Sequence, residues 1–375
     1  MPTLIGRIRQ MSKAERAGAI LEIDLAAVVA NWRLLCGMHP SGPVAGVVKA
    51  DGYGLGAVPV AQALYAAGCR HFFVAWLDEA IAIRALVPEA MVGVLGGLLP
   101  ATAGDFLDFD VVPVLGSLAE IEAWSAAARA ADRRLPAVLH VDTGMSRLGF
   151  NARELAVLQQ DHARLNHLDL RYIMTHLVSS EIRDDPLNEL QRRRFEQACA
   201  WLPKAARSML NSSGMFLGAD FAFDLARPGA ALYGINPTPH ADANPMKLPV
   251  RLTARVLAVR EVGARETVGY NATWRAGSPR RIATAAIGYA DGLHRCLSNR
   301  GQAFFDGKPV PLVGRVSMDL TTFDVTDAPG VVPGTRLEIM GPAQTPDDLA
   351  VAAGTNAYEV LTSLGRRFHR IYEPA

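Results

Sequence analysis

Short apolar runs rich in β-branched residues alternate with longer stretches of helical period through the amino-terminal part of the chain. The helical stretches, such as residues 57–68 and 117–134, place apolar residues three and four positions apart with polar residues between them. This alternation is typical of repeated βα units, which build a parallel sheet covered by helices. The sequence therefore predicts an α/β fold for this part of the chain.

The number of apolar runs indicates which α/β fold to expect. The predicted strands are residues 43–49, 71–76, 91–96, 111–115, 137–142, 170–177, 208–212 and 226–234. Eight parallel strands close into a TIM-like (β/α)8 barrel. A further run at residues 20–24 precedes them. It is either a ninth strand or a strand lent to another domain.

A proline-rich, polar segment at residues 236–249 ends the alternation. After it the helical patterns almost vanish, and short alternating strands separated by Gly, Pro and Asp turns take their place. A chain of 375 residues is long enough for two domains. We expect a basic leader at 1–19, the barrel at 20–243 and a mostly β domain at 244–375, with strand 20–24 contributed to the β domain in the second alternative.

Charge and composition favour a small-molecule partner. The 38 Lys and Arg residues nearly cancel the 37 Asp and Glu residues, so the basic surface of a nucleic-acid or membrane-surface binder is not indicated. No apolar run approaches the ~20 residues that span a bilayer, and the amino terminus lacks the apolar core of a signal peptide. The four cysteines form no C-x-x-C pair, so we predict neither a metal site nor a disulfide framework, and a cytoplasmic location fits.

Polar residues follow several predicted strands, where the active site of a βα barrel lies. These candidates are Lys49 and Tyr53, Arg147, His176, Asn211 with Ser212, and Arg227 with Gly229. A partly desolvated lysine has a lowered pKa and can form a Schiff base. The loops at 211–214 and 227–234 offer hydroxyls and backbone N–H groups, which suit a phosphate group.

Each pattern also has a purely structural explanation when it is taken alone. Lys49 would be a lysine extending from a strand end into water, Arg147 a surface arginine, and His176 a core or rim histidine. The glycine-rich loops would be ordinary turns, and the tyrosines of the β domain would pack on a sheet face. The arginine-rich run at 191–198 is interpreted as the solvated face of a helix rather than a phosphate site.

Taken together, six separated motifs resemble those of bacterial alanine racemases, which are pyridoxal-phosphate enzymes with a βα barrel and a β domain. The motifs occur in the order of that family, and they include VVKADGYGLG, HVDTGMSRLGF, RPGAALYG, VGYNATW, GRVSMD and NAYEVLTSLGRR. The similarity covers nearly the whole chain after the leader. It implies a pyridoxal 5'-phosphate cofactor carried covalently by Lys49.

The resemblance also implies roles for other residues. The cofactor phosphate would contact Tyr53, Ser212, Gly229, Ala230 and Tyr358. Arg227 would face the pyridine nitrogen, and His176 would orient Arg227 from behind. Because an arginine does not give up its proton readily, the ring nitrogen would stay unprotonated, which limits transamination.

Racemisation needs a base on each face of the α-carbon, and the similar enzymes use the cofactor lysine and a tyrosine. Here these would be Lys49 and Tyr270. Arg147 and the backbone N–H of Met318 would hold the substrate carboxylate, with Asp319 beside them and Tyr289 lining the entrance. In the family, the partner subunit supplies the residues that match Tyr270, Tyr289, Met318 and Asp319. The resemblance therefore implies a homodimer with composite sites, which makes D-alanine for peptidoglycan.

The chain departs from the family pattern at three positions. His140 stands where many relatives have a lysine, often carbamylated, that steadies the arginine matching Arg147. We expect neutral His140, or a small anion beside it, to take over this task. Leu55 replaces a common histidine and Ser317 a frequent cysteine, and neither residue is a proposed proton-transfer group.

Three other functions remain open from the sequence. A racemase of broader specificity is one, because a methylene's worth of space discriminates between substrates by only ~1–3 kcal/mol. A fold-related pyridoxal-phosphate decarboxylase is the second, although Arg227 and Tyr270 fit the racemase pattern better. A non-catalytic pyridoxal-phosphate-binding protein is the third, but such a protein would need neither the β domain nor Tyr270.

Overall fold

The computed structural model describes residues 12–241 and 243–375, and the chain divides into two compact units. The barrel unit holds residues 24–249 and the two carboxyl-terminal residues. The β unit holds the described residues up to 23 together with residues 250–373. No helix among the described residues is long and apolar enough to cross a lipid bilayer.

The chain begins in the β unit, with helix α1 (Lys13–Arg16) and strand β1 (Ala19–Asp24). Ser12 and Glu15 cap α1 reciprocally, because each side chain accepts the backbone N–H of the other residue. The predicted leader at 1–19 lies partly outside the described residues, and its described part contains α1 and the first residue of β1. Strand β1 pairs antiparallel with residues 250–254, which is the second of the two alternatives for the run at 20–24.

The barrel unit follows the predicted alternation of strands and helices. Its elements are α2 (Leu25–Met38), β2 (Gly46–Val47), α3 (Lys49–Tyr53), α4 (Ala57–Ala66), β3 (His71–Val74), α5 (Leu77–Arg84), β4 (Met91–Val94), α6 (Ala103–Asp108), β5 (Val112–Leu115), α7 (Leu118–Ala130), β6 (Leu135–His140), α8 (Ala152–Gln160), β7 (Leu168–Met174), α9 (Pro186–Trp201) and β8 (Ala206–Ser208). The seven strands form one parallel sheet in chain order. The predicted α/β architecture is therefore confirmed.

The eighth predicted strand, at 226–234, is wrong as a strand. Leu225 and Ala226 make single parallel bridges to Ser208 and Val44, and residues 230–233 form a 3-10 turn. Pro228 interrupts the run, and proline has no N–H to donate to a ladder. Through these bridges, residues 225 and 226 connect β8 to Val44, which lies just before β2. The segment thus takes the place of an eighth strand between β8 and β2.

The β unit contains the remaining elements. They are β9 (Val250–Val262), β10 (Thr267–Val268), β11 (Trp274–Arg275), β12 (Arg280–Ala285), β13 (Gln302–Phe305), β14 (Lys308–Pro311), β15 (Thr321–Asp324), β16 (Arg336–Met340), α10 (Pro346–Ala353), α11 (Ala357–Thr362) and β17 (His369–Glu373). The main sheet has the order β14-β13-β16-β9-β1-β17, and β12 pairs with both β9 and β15. The predicted mostly β architecture is confirmed.

The junction between the units lies at 249/250 rather than at the predicted 243/244. Buried Asn31 of α2 exchanges two hydrogen bonds with the backbone of Lys247, at 2.9 and 2.8 Å. Asn244 donates to the carbonyl of Gly234 at 2.8 Å. These bonds hold the proline-rich segment against the barrel unit, although its composition is that of a linker.

Candidate active site

Lys49 precedes a left-handed turn and lies two residues after the end of β2. The next four residues, Ala50, Asp51, Gly52 and Tyr53, have φ values of 53, 52, 62 and 53°. A left-handed helical conformation costs L-residues roughly 1–2 kcal/mol each, so other contacts must hold this turn. The predicted strand at 43–49 ends earlier, at Val47, and Lys49 belongs to the turn that follows it.

Two carboxylates hold the Lys49 turn in place. Glu79 of α5 accepts the N–H of Ala50 at 2.6 Å with one oxygen and the N–H of Ala75 at 2.7 Å with the other. Asp51 accepts the N–H of Ala57, at the start of α4, at 2.9 Å. Sequence reasoning missed Glu79, because nothing in a helical segment shows which loop one of its side chains will reach.

Lys49 lies in a cationic environment. Its pKa is lowered, first by burial and then by the positive charges of Arg147 and Arg227, while Glu79 opposes the shift. Burial, followed by the charge of Arg227, also lowers the pKa of His176 well below its usual value. The Lys49 amine thus loses its proton more readily than the amine of an ordinary lysine does. The positive charges of the two arginines favour the binding of an anionic ligand nearby.

Arg227 is buried, and its guanidinium donates hydrogen bonds to two residues of the barrel unit. Nε donates to Ser208 Oγ at 2.8 Å, and another nitrogen donates to the carbonyl of Thr175. Burial lowers the pKa of Arg227 to about 10, so the side chain keeps its proton at neutral pH. No hydrogen bond joins His176 to Arg227 within the described ranges, so Ser208 and Thr175 are the groups that orient the arginine there.

Four of the five predicted phosphate contacts lie together in the barrel unit. The Ser212 hydroxyl accepts the N–H groups of Gly229 at 3.0 Å and Ala231 at 3.1 Å. The buried N–H of Ala230 donates to no acceptor among residues 12–241 and 243–375. A Cβ on Gly229 would lie 2.2 Å from the Tyr53 hydroxyl, so only glycine permits this close approach. The cradle offers hydroxyls and a free amide, as a phosphate requires.

The loop that carries Arg147 is fixed by its own backbone. Asp142 Oδ1 accepts three consecutive N–H groups, those of Gly144, Met145 and Ser146, at 2.9, 3.0 and 3.1 Å. The N–H of Phe150 donates to the carbonyl of His140 at 2.8 Å, which returns the loop to the end of β6. The exposed Arg147 side chain therefore extends from a well-anchored turn.

His140 occupies the position of the usual lysine as a buried, neutral ring. Burial first, and then the charge of Arg227, lowers the pKa of His140 to about 4. The described residues include no hydrogen bond between His140 and Arg147. The neutral ring agrees with the expectation that His140 is uncharged. The loop that carries Arg147 is held by the hydrogen bonds of Asp142.

Gln191 of α9 connects the loops that follow β6 and β7. Its amide nitrogen donates to Thr143 Oγ1 at 3.0 Å and to the carbonyl of His176 at 2.9 Å, and its oxygen accepts the N–H of Val178 at 2.8 Å. Gln191 was assigned to a solvated helix face, yet it is only 1% exposed. Its position four residues before buried Phe195, on the same helix face, is the signal that could have identified it.

The β unit presents Tyr270 on a tight turn that packs against a second loop. A Cβ on Gly314 would lie 2.9 Å from the carbonyl of Val268, so the two loops touch at glycine. Asn299 links them, because it donates to Thr273 Oγ1 at 3.2 Å and accepts the N–H of Gly314 at 2.7 Å. Sequence reasoning did not identify Asn299. Tyr270 itself is 68% exposed.

The turn that carries Tyr289 and the loop that carries Met318 are joined by backbone hydrogen bonds. The N–H of Tyr289 donates to the carbonyl of Ser317 and that of Ala290 to the carbonyl of Met318, both at 3.0 Å. The N–H of Met318 has no acceptor in the described part of the chain, and the residue is 54% exposed. Such an N–H is available to a ligand carboxylate.

The structure thus groups the predicted site residues in two sets. The barrel unit brings together Lys49, Tyr53, Arg147, His176, Ser212, Arg227, Gly229 and Ala230. The loops of the β unit carry Tyr270, Tyr289, Met318 and Asp319. Tyr358 lies at the start of α11, where the Asn356 side chain caps the helix by accepting the N–H of Glu359 at 2.9 Å.

Family models match both parts of the chain. Residues 23–237 match the model described as alanine racemase, N-terminal domain. Residues 249–372 match the model described as alanine racemase, C-terminal domain. The first match covers most of the barrel unit, and the second covers most of the β unit.

Curated relatives and solved structures agree with these matches. The alanine racemase of Acidiphilium cryptum is 53% identical, with 94% of this chain and 98% of that protein covered. The alanine racemase of Rhodospirillum rubrum is 46% identical, with 96% and 98% covered. The crystal structure of Bartonella henselae alanine racemase with covalently bound pyridoxal phosphate superposes on this chain with a TM-score of 0.92 and is 39% identical in sequence. The superposition covers 95% of this chain and 100% of that chain.

Proposed function

This chain belongs to the alanine racemase family, and from that premise we propose which of its residues interconvert L-alanine and D-alanine. The protein is an isomerase that uses pyridoxal phosphate. The observation that carries the assignment is the placement of Lys49 in a strained, cationic turn of the unit that also holds the Ser212 and Gly229 cradle. The individual roles below are our proposal.

The cradle of the barrel unit fits the cofactor. Lys49 would hold it covalently, and the phosphate would contact the hydroxyls of Tyr53 and Ser212 and the amides of Gly229 and Ala230. The free, buried N–H of Ala230 and the close approach of Tyr53 to Gly229 support this fit. Tyr358 would be a further phosphate contact. The bound cofactor supplies the electron sink that makes the α-hydrogen of alanine acidic.

Arg227 would tune that sink. Ser208 and Thr175 hold its guanidinium, which remains protonated because its pKa is about 10. Because the guanidinium does not give up its proton readily, it would leave the ring nitrogen of a bound cofactor unprotonated. An unprotonated ring withdraws electrons less strongly, which favours return of the proton to the α-carbon over transamination.

Two bases would act on opposite faces of the α-carbon. The lowered pKa of Lys49 favours the unprotonated amine, which is the form that can accept a proton, and Tyr270 would serve the other face. Arg147 and the free N–H of Met318 would bind the substrate carboxylate. Binding of the carboxylate at two points fixes the α-hydrogen relative to both bases.

The assembly is part of the same proposal. By resemblance to the family, Tyr270, Tyr289, Met318 and Asp319 would enter the active site of a partner subunit, which makes the protein a homodimer. The high exposure of Tyr270 and Met318, at 68% and 54%, supports a role beyond their own chain. We further propose that the enzyme works in the cytoplasm and supplies D-alanine to peptidoglycan.

The test is conversion of L-alanine by purified protein with pyridoxal phosphate, followed by chiral chromatography. Lys49→Ala should abolish conversion, and Tyr270→Phe should lower kcat/KM strongly and equally in both directions, because each conversion needs both bases and the two enantiomers are equally stable. L-Serine and L-lysine in the same experiment define substrate breadth. If the wild type binds the cofactor and forms no D-amino acid from any of the three, the proposed function is rejected.

A further inference from the structure

Arg367 bridges two carboxylates on two different loops of the β unit. Its Nε donates to Asp291 Oδ1 and one terminal nitrogen donates to Asp319 Oδ1, both at 2.7 Å. The hydrogen bonds to Asp291 and then to Asp319 raise the pKa of Arg367, so it remains a permanent cation. None of the sequence motifs discussed above gave Arg367 or Asp291 a role.

Asp291 connects this bridge to the turn that carries Tyr289. Asp291 is 6% exposed, and its second oxygen accepts the N–H of Gly288 at 2.9 Å. Its carbonyl accepts the N–H of Gly365 at 2.9 Å, two residues before Arg367. The turn and the segment of Arg367 are therefore fixed to each other by both backbone and side-chain bonds.

Asp319 places a negative charge next to the N–H proposed to bind substrate. The N–H of Ser317 donates to the carbonyl of Leu320 at 3.0 Å, and this turn presents Met318 and Asp319 side by side. An ionised carboxylate here repels a second carboxylate, such as that of alanine. The bond from Arg367 compensates this charge and holds it in one orientation.

We propose that Arg367 is a positioning residue that neutralises Asp319 and thereby permits the substrate carboxylate to bind at the Met318 N–H. This proposal rests on the proposed function. Arg367 acts through Asp319 and the Tyr289 turn. Its contribution therefore belongs to substrate binding, while proton transfer depends on other groups.

The test compares Arg367→Gln with Arg366→Gln in the holoenzyme. Arg366 is the exposed neighbour and makes no ion pair within the described residues, so it is the matched control. We expect Arg367→Gln to raise KM for L-alanine about tenfold and to change kcat by less than about threefold. Arg367→Lys, which keeps the charge, should recover most of the loss in KM. The control should keep the KM of the wild type.

A second substitution separates charge compensation from general support of the loop. Adding Asp319→Asn to Arg367→Gln removes the uncompensated charge, so KM should fall back toward the wild-type value. The KM of Arg367→Gln should also fall at high salt, because Asp319 is exposed and its repulsion is screened. Thermal midpoints verify folding, and Arg367→Met replaces Arg367→Gln if the latter does not fold.

The outcomes distinguish this inference from the proposed function. If the wild type does not racemise alanine, the proposed function fails. If the wild type racemises alanine and Arg367→Gln keeps its KM, the inference alone is overturned. A raised KM that neither Asp319→Asn nor salt lowers would also overturn it, because the arginine would then support the loop without acting on the charge.

Discussion

At the scale of single residues, His140 makes stability depend on pH. Its pKa is about 4 in the folded protein, against about 6.5 for an ordinary histidine, so the unfolded chain binds the proton more tightly. The free energy of unfolding should therefore rise with pH between about 4 and 6.5, by at most about 3.5 kcal/mol from this residue. Above that window the contribution is constant, and it is lost as the pH falls through 4.

His140→Asn tests this dependence by urea denaturation at several pH values. The variant should show a shallower rise in the free energy of unfolding across the same window, because Asn does not titrate. Part of the rise should remain, since burial also lowers the pKa of His176. Exposed His240→Asn is the control and should keep the slope of the parent. An unchanged slope in His140→Asn would show that the ring is not held neutral by burial.

The site residues that the sequence identified share one property: their neighbours in the sequence indicate their role. Lys49 follows an apolar run and precedes glycines, and Gly229 lies in the glycine-containing run at 227–234. Glu79, Asn299 and Arg367 act on loops 29, 15 and 48 positions away in the chain. A single sequence contains no record of such pairs, so their roles required the fold.

At the scale of elements, Gln191 shows how a helix sets the position of two loops. We predict that Gln191→Leu lowers the free energy of unfolding by about 1–3 kcal/mol, because each of its hydrogen-bond partners would lose a bond at a buried or part-buried position. These partners are Thr143, the carbonyl of His176 and the N–H of Val178. Urea denaturation monitored by circular dichroism measures the change.

Gln197→Leu provides the matched control, since it is the same substitution on an exposed position of the same helix. It should change stability by no more than about 0.5 kcal/mol. Equal effects of the two substitutions would mean that the loops after β6 and β7 do not depend on Gln191.

Strand and helix periodicity predicted most elements, and it failed where the backbone chemistry differed from the hydrophobic pattern. The run at 226–234 is apolar enough for a strand, but Pro228 lacks an N–H and the following residues form a 3-10 turn. The run at 43–49 ends as a strand at Val47, because the next residues adopt left-handed φ values. Hydrophobic periodicity reports burial, and it does not report φ.

At the scale of the whole molecule, one chain builds its two units in an interrupted order. Strand β1 belongs to the β unit, the chain then forms the whole barrel unit, and β9 returns to pair with β1. Composition predicted a boundary near residue 244, but the polar segment there is bonded to Asn31 through Lys247. The linker-like composition therefore predicted the approximate region of the junction. Its exact position depends on hydrogen bonds that keep residues 244–249 in the barrel unit.

The proposed composite sites make a prediction about two inactive proteins. Lys49→Ala and Tyr270→Phe should each be nearly inactive alone. If Lys49 of one chain works with Tyr270 of its partner, a mixed dimer contains one intact site and one site that lacks both groups. Random exchange of subunits should then restore about a quarter of the wild-type activity, because half of the dimers are mixed and half of their sites are intact.

The control for this experiment mixes Lys49→Ala with the double variant Lys49→Ala/Tyr270→Phe, in which no site contains the lysine. That mixture should stay inactive under the same exchange conditions, which excludes reactivation by the exchange itself. If Lys49 and Tyr270 serve the same site within one chain, the first mixture also stays inactive, because every site then lacks one base. Recovery thus depends on which chain supplies the tyrosine, and chiral chromatography of D-alanine measures it directly.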